Sequence, residues 1–295
     1  MGRLTAVVVL AAAFSAGCGG SGSHSSRTLD GFLKRPGPDV SITAGASEFV
    51  RGSIRYPFLV IRNDARPVER STASVWVAGG RDRAPFTRVT AQLEPIGIAG
   101  RSARAFGEVS RIYVAHFRVP RAGRYWLVAE PAGAKIQAIG SLEVTARSPS
   151  PAVGAQAPRS ATPTLADASV ARLTTRRPPD LALLRYSVAG TLSAHRPFVV
   201  TFATPKFCTS RICGPVVDVV DAVRESFASS PVRFIHVEVF RDNDPAKGYN
   251  RWMRRWHLRS EPWTFLVGRE GRVKAKFEGS VSAAELTAAI RKRLL

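Results

Sequence analysis

Two cysteines, Cys208 and Cys213, have the residue type and the spacing for thiol chemistry. They follow a continuous apolar run at 198–203 and precede a stretch in which valines recur at helical spacing. A thiolate is the nucleophile in disulfide exchange, and the backbone N–H groups and aligned peptide dipoles at a helix N-terminus stabilise it. Residues five apart on a helix lie ~140° apart around its axis. We therefore expect Cys208 to precede the helix, which begins near Cys213 with Pro215 in its first turn.

The third cysteine, Cys18, lies at the end of a short N-terminal apolar segment. Residues 4–14 are too few to span a bilayer, and small residues at 15–17 lead to Cys18. This ending resembles the lipobox of bacterial lipoproteins, and the Gly/Ser-rich residues 19–23 suit a flexible tether. The resemblance implies a signal peptide at 1–17, lipidation of Cys18, and a location at the cell membrane on its extracytoplasmic side. A plain secretory signal is the alternative, and both predict export.

Export affects the expected oxidation state of the other two cysteines, because exported proteins fold in an oxidising environment. If Cys18 carries lipid, Cys208 and Cys213 remain as an even pair for which a disulfide is possible. This pair is therefore the centre of the functional question.

The chain is strongly basic, with Lys+Arg 43 against Asp+Glu 22 and a formal net charge of +21. The charges are scattered singly through both halves and form no long basic run. A nucleic-acid-binding surface is typically marked by clustered basic residues, so we predict no nucleic-acid partner.

The length of 295 residues with 45% hydrophobic content predicts two globular units. In the first, 39–147, short apolar runs alternate with turn formers, and 117–130 resembles the late hairpin of bacterial immunoglobulin-like domains. We expect an all-β, immunoglobulin-like sandwich there, preceded by the tether 18–38. The predicted strands of this unit include 58–61, 74–77, 112–117, 125–128 and 140–144. A Pro/Ala/Ser-rich stretch then predicts an extended linker over 148–178.

The last unit, 179–295, predicts an α/β domain. Apolar runs predict strands at 198–203, 232–240, 263–267 and 273–277, and helical spacing predicts helices at 214–227, 245–256 and 282–294. Ser282 and Glu285 have the spacing of a capping box for the final helix.

This element order, with Cys208 and Cys213 between the first strand and the first helix, resembles the thioredoxin fold over about 196–294. The resemblance implies that Pro262 forms a cis peptide bond facing the cysteines, and we assign Pro262, Glu261 and His236 as active-site support. A neutral His236 imidazole would accept a proton from the resolving thiol. The alternative for His236 is a histidine simply packed on its strand.

The match to the thioredoxin pattern has departures. Thioredoxins use Cys-x-x-Cys, whereas four residues separate the cysteines here, and Thr201 stands where thioredoxins have a buried Asp. We assign Cys208 as the attacking thiol and Cys213 as the resolving thiol. A second alignment, in which Cys213 begins a Cys-Gly-Pro motif as the nucleophile, remains open.

The sequence thus predicts a membrane-anchored enzyme, a thiol-disulfide oxidoreductase acting on the thiols and disulfides of exported proteins without a cofactor. Copper-handling proteins of the Sco type also resemble this pattern, and copper bound by the two cysteines with His236 or His257 is one alternative. A non-catalytic binding module with a structural disulfide is another.

Overall fold

The computed structural model describes residues 28–33, 40–102, 110–134, 137–208 and 212–295. The predicted signal peptide and Cys18 lie outside these residues. Within the described part of the chain, no helix has the length and apolar character needed to cross a membrane.

The described residues between 40 and 145 form a β-barrel. One sheet has the strand order β1-β3-β6-β5-β4-β7-β8-β2, and it closes on itself because β1 also pairs with β8, with Ser41 opposite Ile139. Seven strands make the closed barrel, and the two-residue β2 extends the end of β8. The strands are β1 Val40–Ala44, β2 Phe49–Val50, β3 Gly52–Arg62, β4 Thr72–Ala78, β5 Thr87–Pro95, β6 Arg111–Val119, β7 Gly123–Pro131 and β8 Ala138–Thr145.

The predicted fold class, an immunoglobulin-like sandwich plus an α/β thioredoxin-like fold, is wrong. The described chain is mostly β and consists of the closed barrel and a separate four-stranded sheet. The five predicted N-terminal strand segments are all strands, but alternating apolar residues occur in sandwiches and barrels alike. Pairing of the first strand with the last distinguishes the two, and this pairing joins residues about a hundred positions apart.

The four-stranded sheet has the order β10-β9-β11-β12, in which only β9 and β10 are parallel. Each of its central strands is buried on both faces, which explains their continuous apolar runs. Helices α4 and α6 cover one face, and α3 and α5 cover the other. The strands are β9 Phe198–Phe202, β10 Arg233–Val237, β11 Trp263–Val267 and β12 Val273–Glu278. The helices are α1 Leu29–Leu33, α2 Val170–Leu173, α3 Val188–Ser193, α4 Cys213–Ser226, α5 Arg251–Arg255 and α6 Ala283–Arg293.

Two sequence-predicted details differ in the structure. The helix predicted at 245–256 is reduced to the 3-10 turn Pro245–Lys247 and α5, because Gly248, which lies between them, adopts a positive φ angle that interrupts a helix. Ser282 does cap α6 by accepting from the Glu285 N–H at 3.1 Å. The Glu285 carboxylate, however, binds Arg55 of the barrel instead of returning to Ser282.

Polar contacts join the barrel to the four-stranded unit. Glu278, at the end of β12, accepts hydrogen bonds from the backbone N–H groups of Ser47 and Glu48 at 2.9 and 2.6 Å. In the segment predicted as an extended linker, Ser148 and Ser150 contact the Lys276 ammonium group of β12. The unit that contains Cys208 and Cys213 is therefore held against the barrel.

Candidate functional site

Cys208 and Cys213 form a disulfide, with their Cα atoms 5.9 Å apart. Cys213 is the first residue of α4 and is fully buried, whereas Cys208 lies in the loop after β9 and is partly exposed. The prediction that the helix begins at Cys213, with Cys208 before it, is confirmed.

The Cys208 sulfur takes part in capping α4. The N-cap residue, Ile212, has no side-chain oxygen to accept from the first turn. Instead, the backbone N–H of Cys213 donates to the Cys208 Sγ at 3.3 Å. An N–H at a helix start favours negative charge on its acceptor. This contact therefore favours a thiolate on Cys208 when the disulfide is reduced.

Glu261 lies beside the disulfide. The Glu261–Pro262 peptide bond is cis, as the resemblance implied. A carboxylate oxygen of Glu261 lies within 4.8 Å of both cysteine sulfurs. The Tyr249 hydroxyl donates to the Glu261 Oε2 at 2.7 Å. Burial, together with this hydrogen bond, raises the pKa of Tyr249, so the hydroxyl keeps its proton and holds the carboxylate.

His236 is buried on β10, opposite Thr201 of β9. Its Nε2 lies 3.1 Å from the Ala203 carbonyl oxygen, which can only accept, so Nε2 carries the proton. Burial lowers the pKa of His236 and favours the neutral imidazole. Among the described residues, the ligand atoms that gather around the two sulfurs include Glu261 but neither His236 nor the exposed His257.

A buried carboxylate that the sequence reasoning missed, Glu238, lies beyond the end of β10. Its Oε1 accepts from the Thr175 backbone N–H and hydroxyl at 2.6 and 2.7 Å. The Thr175 hydroxyl oxygen in turn accepts from the Lys206 N–H at 3.1 Å, two residues before Cys208. Glu238 thereby helps to hold the cysteine loop. This contact was difficult to predict from the sequence because Thr175 lies in the segment predicted to be an extended linker. Thr201, in the position of the thioredoxin Asp, contacts the Thr264 hydroxyl at 3.1 Å instead.

The barrel also packs against the cysteine site, which the sequence did not indicate. Ile212 contacts an apolar cluster that includes Ile96 and Ile112 of the barrel. The hydroxyl of Ser102, in the loop after β5, donates to the Asp218 carboxylate of α4 at 2.5 Å. The start of α4 is thus held from the barrel side as well as by its own core.

No protein-family model matches the chain, and no curated protein is similar to it. A structural neighbour is a thiol:disulfide interchange protein of the thioredoxin family from Chlorobium tepidum TLS, at 17% sequence identity. The similarity covers 49% of this chain and 99% of the other, with a TM-score of 0.33. A similarity this weak shows nothing about the function of this chain.

Proposed function

We propose that this chain exchanges disulfides with other proteins through Cys208 and Cys213. The observation that carries the proposal is the asymmetry of the pair. Cys208 is a partly exposed residue whose sulfur accepts an N–H at the start of α4, while Cys213 is fully buried. An accessible, stabilised thiolate with a second thiol within bonding distance is what disulfide exchange requires.

In the reducing direction, the Cys208 thiolate attacks one sulfur of a substrate disulfide, and the other substrate sulfur leaves as a thiolate. The Cys213 thiol then loses its proton and attacks the Cys208 sulfur of the mixed disulfide. This step re-forms the Cys208–Cys213 bond and releases the second substrate sulfur as a thiolate, so two electrons pass to the substrate and its two thiolates take up protons from solvent. Glu261 is within reach to accept the proton of Cys213. Oxidation of a substrate is the same sequence in reverse.

The exported location belongs to the same proposal and is supported by the N-terminal sequence. With a lipid on Cys18, the enzyme would meet the thiols and disulfides of other exported proteins. Copper handling is supported less well by the site, because among the described residues the ligand group that gathers with the two sulfurs is a carboxylate rather than an imidazole. Copper(I) prefers soft thiolate and thioether ligands to oxygen.

The test uses insulin as a disulfide-bonded substrate and the reduced full chain, with Cys18→Ser in every variant, as Cys213→Ala, Cys208→Ala and the double variant. We expect Cys213→Ala to accumulate a mixed disulfide with insulin, visible on a non-reducing gel and reversed by dithiothreitol. Cys208→Ala and the double variant should trap nothing.

Trapping by Cys208→Ala alone would assign the nucleophile to Cys213 and contradict the mechanism. Failure of the wild-type protein to exchange with insulin would support a structural disulfide. That failure together with tight, stoichiometric copper(I) binding would support the copper alternative.

A further inference from the structure

A groove lined by arginines lies at the end of the four-stranded unit opposite to the disulfide. It has a volume of about 460 Å³ and is formed where β9 and β10 begin and α4 ends. We propose that this groove binds a phosphate group, as a free polyphosphate or as a lipid headgroup. The inference goes beyond disulfide exchange and does not depend on it.

The positive charge in the groove is largely uncompensated. Arg185, Arg196, Arg224 and Arg233 line it, and no lining residue is acidic. The charge of Arg224 is neutralised by Asp221, because the Arg224 Nε lies 2.7 Å from the Asp221 Oδ1. For the other three, no carboxylate lies within ion-pair distance in the part of the chain that the structure describes. Like charges gathered in one groove repel each other, and a bound anion would remove this repulsion.

The side chains are arranged for a compact anion with several oxygens. The Arg233 guanidinium stacks over the Tyr186 ring at 4.4 Å from its centroid. This contact restrains the orientation of the Arg233 N–H donors. Arg185 and Arg196 are exposed and also line the groove. Guanidinium groups bind phosphate through paired N–H donors. A phosphate group offers more acceptor oxygens to these three arginines than a single carboxylate does.

The location separates this groove from the redox site. The disulfide lies at the N-terminal end of α4 and the groove at its C-terminal end, and a 14-residue helix is ~21 Å long. A ligand in the groove would therefore leave Cys208 accessible. If the phosphate belongs to a lipid, the groove would hold the protein on the membrane with the disulfide directed away from it.

The test compares two triple variants of the full chain that carry the same change in charge. The first removes the groove arginines by Arg185→Gln, Arg196→Gln and Arg233→Gln. The control removes exposed arginines of the barrel or the segment after it by Arg111→Gln, Arg121→Gln and Arg147→Gln. Binding of inorganic tripolyphosphate is measured by calorimetry at fixed ionic strength, and sedimentation is measured with phosphatidylglycerol and phosphatidylcholine vesicles. Circular dichroism and thermal unfolding confirm that each variant is folded.

We expect the groove variant to lose at least about tenfold in affinity for the phosphate probe that the wild type binds, and the control to stay within about twofold. Binding of tripolyphosphate would indicate a soluble ligand. Binding restricted to phosphatidylglycerol vesicles would indicate a lipid headgroup. Equal losses in both variants would show only a response to net charge and would overturn the proposal. The proposal would also be overturned if the wild-type protein bound neither tripolyphosphate nor phosphatidylglycerol vesicles.

Discussion

Replacing Glu261 by Gln should make Cys208 of the reduced protein more acidic. The substitution removes the negative charge beside the sulfurs and keeps the size of the side chain. It also keeps an oxygen that can accept from the Tyr249 hydroxyl, now 2.7 Å from the carboxylate. Because a carboxylate disfavours a neighbouring thiolate, its loss should lower the pKa of the Cys208 thiol.

The expected size of the effect follows from the geometry. A carboxylate oxygen of Glu261 lies within 4.8 Å of the sulfur. At this separation, two unit charges interact by ~0.9 kcal/mol at the dielectric constant of water and by ~3.5 kcal/mol at an effective value of ~20. These energies correspond to pKa changes of ~0.6 and ~2.5. Glu261 is only partly buried, so we expect a decrease of about one unit.

The assay measures alkylation of Cys208 by iodoacetamide as a function of pH, in a Cys213→Ala background so that a single thiol of the site reacts. Mass spectrometry of the Cys208 peptide gives the rate at each pH. The matched control is Glu270→Gln, which removes a carboxylate that forms an ion pair with Lys274. Glu270 lies in the turn between β11 and β12, at the opposite end of β11 from Pro262. The control should leave the midpoint unchanged. A midpoint that stays constant or rises in Glu261→Gln would refute the proposed electrostatic contact.

Two further predictions concern stability. Burial raises the pKa of Asp180 to about 6, despite its ion pair with Arg176. The folded state therefore binds this proton more tightly than the unfolded state, and stability decreases as pH rises through about 6. Asp180→Asn should raise the free energy of unfolding at pH 8 by about 1–2 kcal/mol, after allowance for partial exposure, and have little effect at pH 4. Urea denaturation at the two pH values checks this, and equal effects at both would contradict it. Glu278→Gln replaces the carboxylate that accepts from the Ser47 N–H by a neutral amide, which weakens these charge-assisted hydrogen bonds, and should lower the free energy of unfolding by about 1–2 kcal/mol. The exposed Glu143→Gln is its control in the same assay, and similar small effects in both would show that the contact between the barrel and the four-stranded unit contributes little.

Local features of the site were accessible from sequence because they depend on neighbours along the chain. The start of α4 at Cys213 followed from residue spacing, and the strand Trp263–Val267 followed from its apolar run. The cis bond before Pro262 came only from a family resemblance, because few X-Pro bonds are cis. The approach of Glu261 to both sulfurs depends on β11 pairing with β9, and the sequence had no direct signal for that distance.

The sequence by itself determined most of the strand segments, the cysteine pair and the helix that begins at its second member, since apolar periodicity and helix-start chemistry act over a few residues. Strands β1, β2 and β5 were not predicted. Only the tertiary structure decided that the first unit closes into a barrel, because that closure depends on β1 meeting β8 across about a hundred residues. It also decided that Glu238, Thr175 and Ser102 support the cysteine loop and α4, and that three arginines from separate segments share one groove. Each of these contacts joins residues whose separation along the chain carries no information about their distance in space.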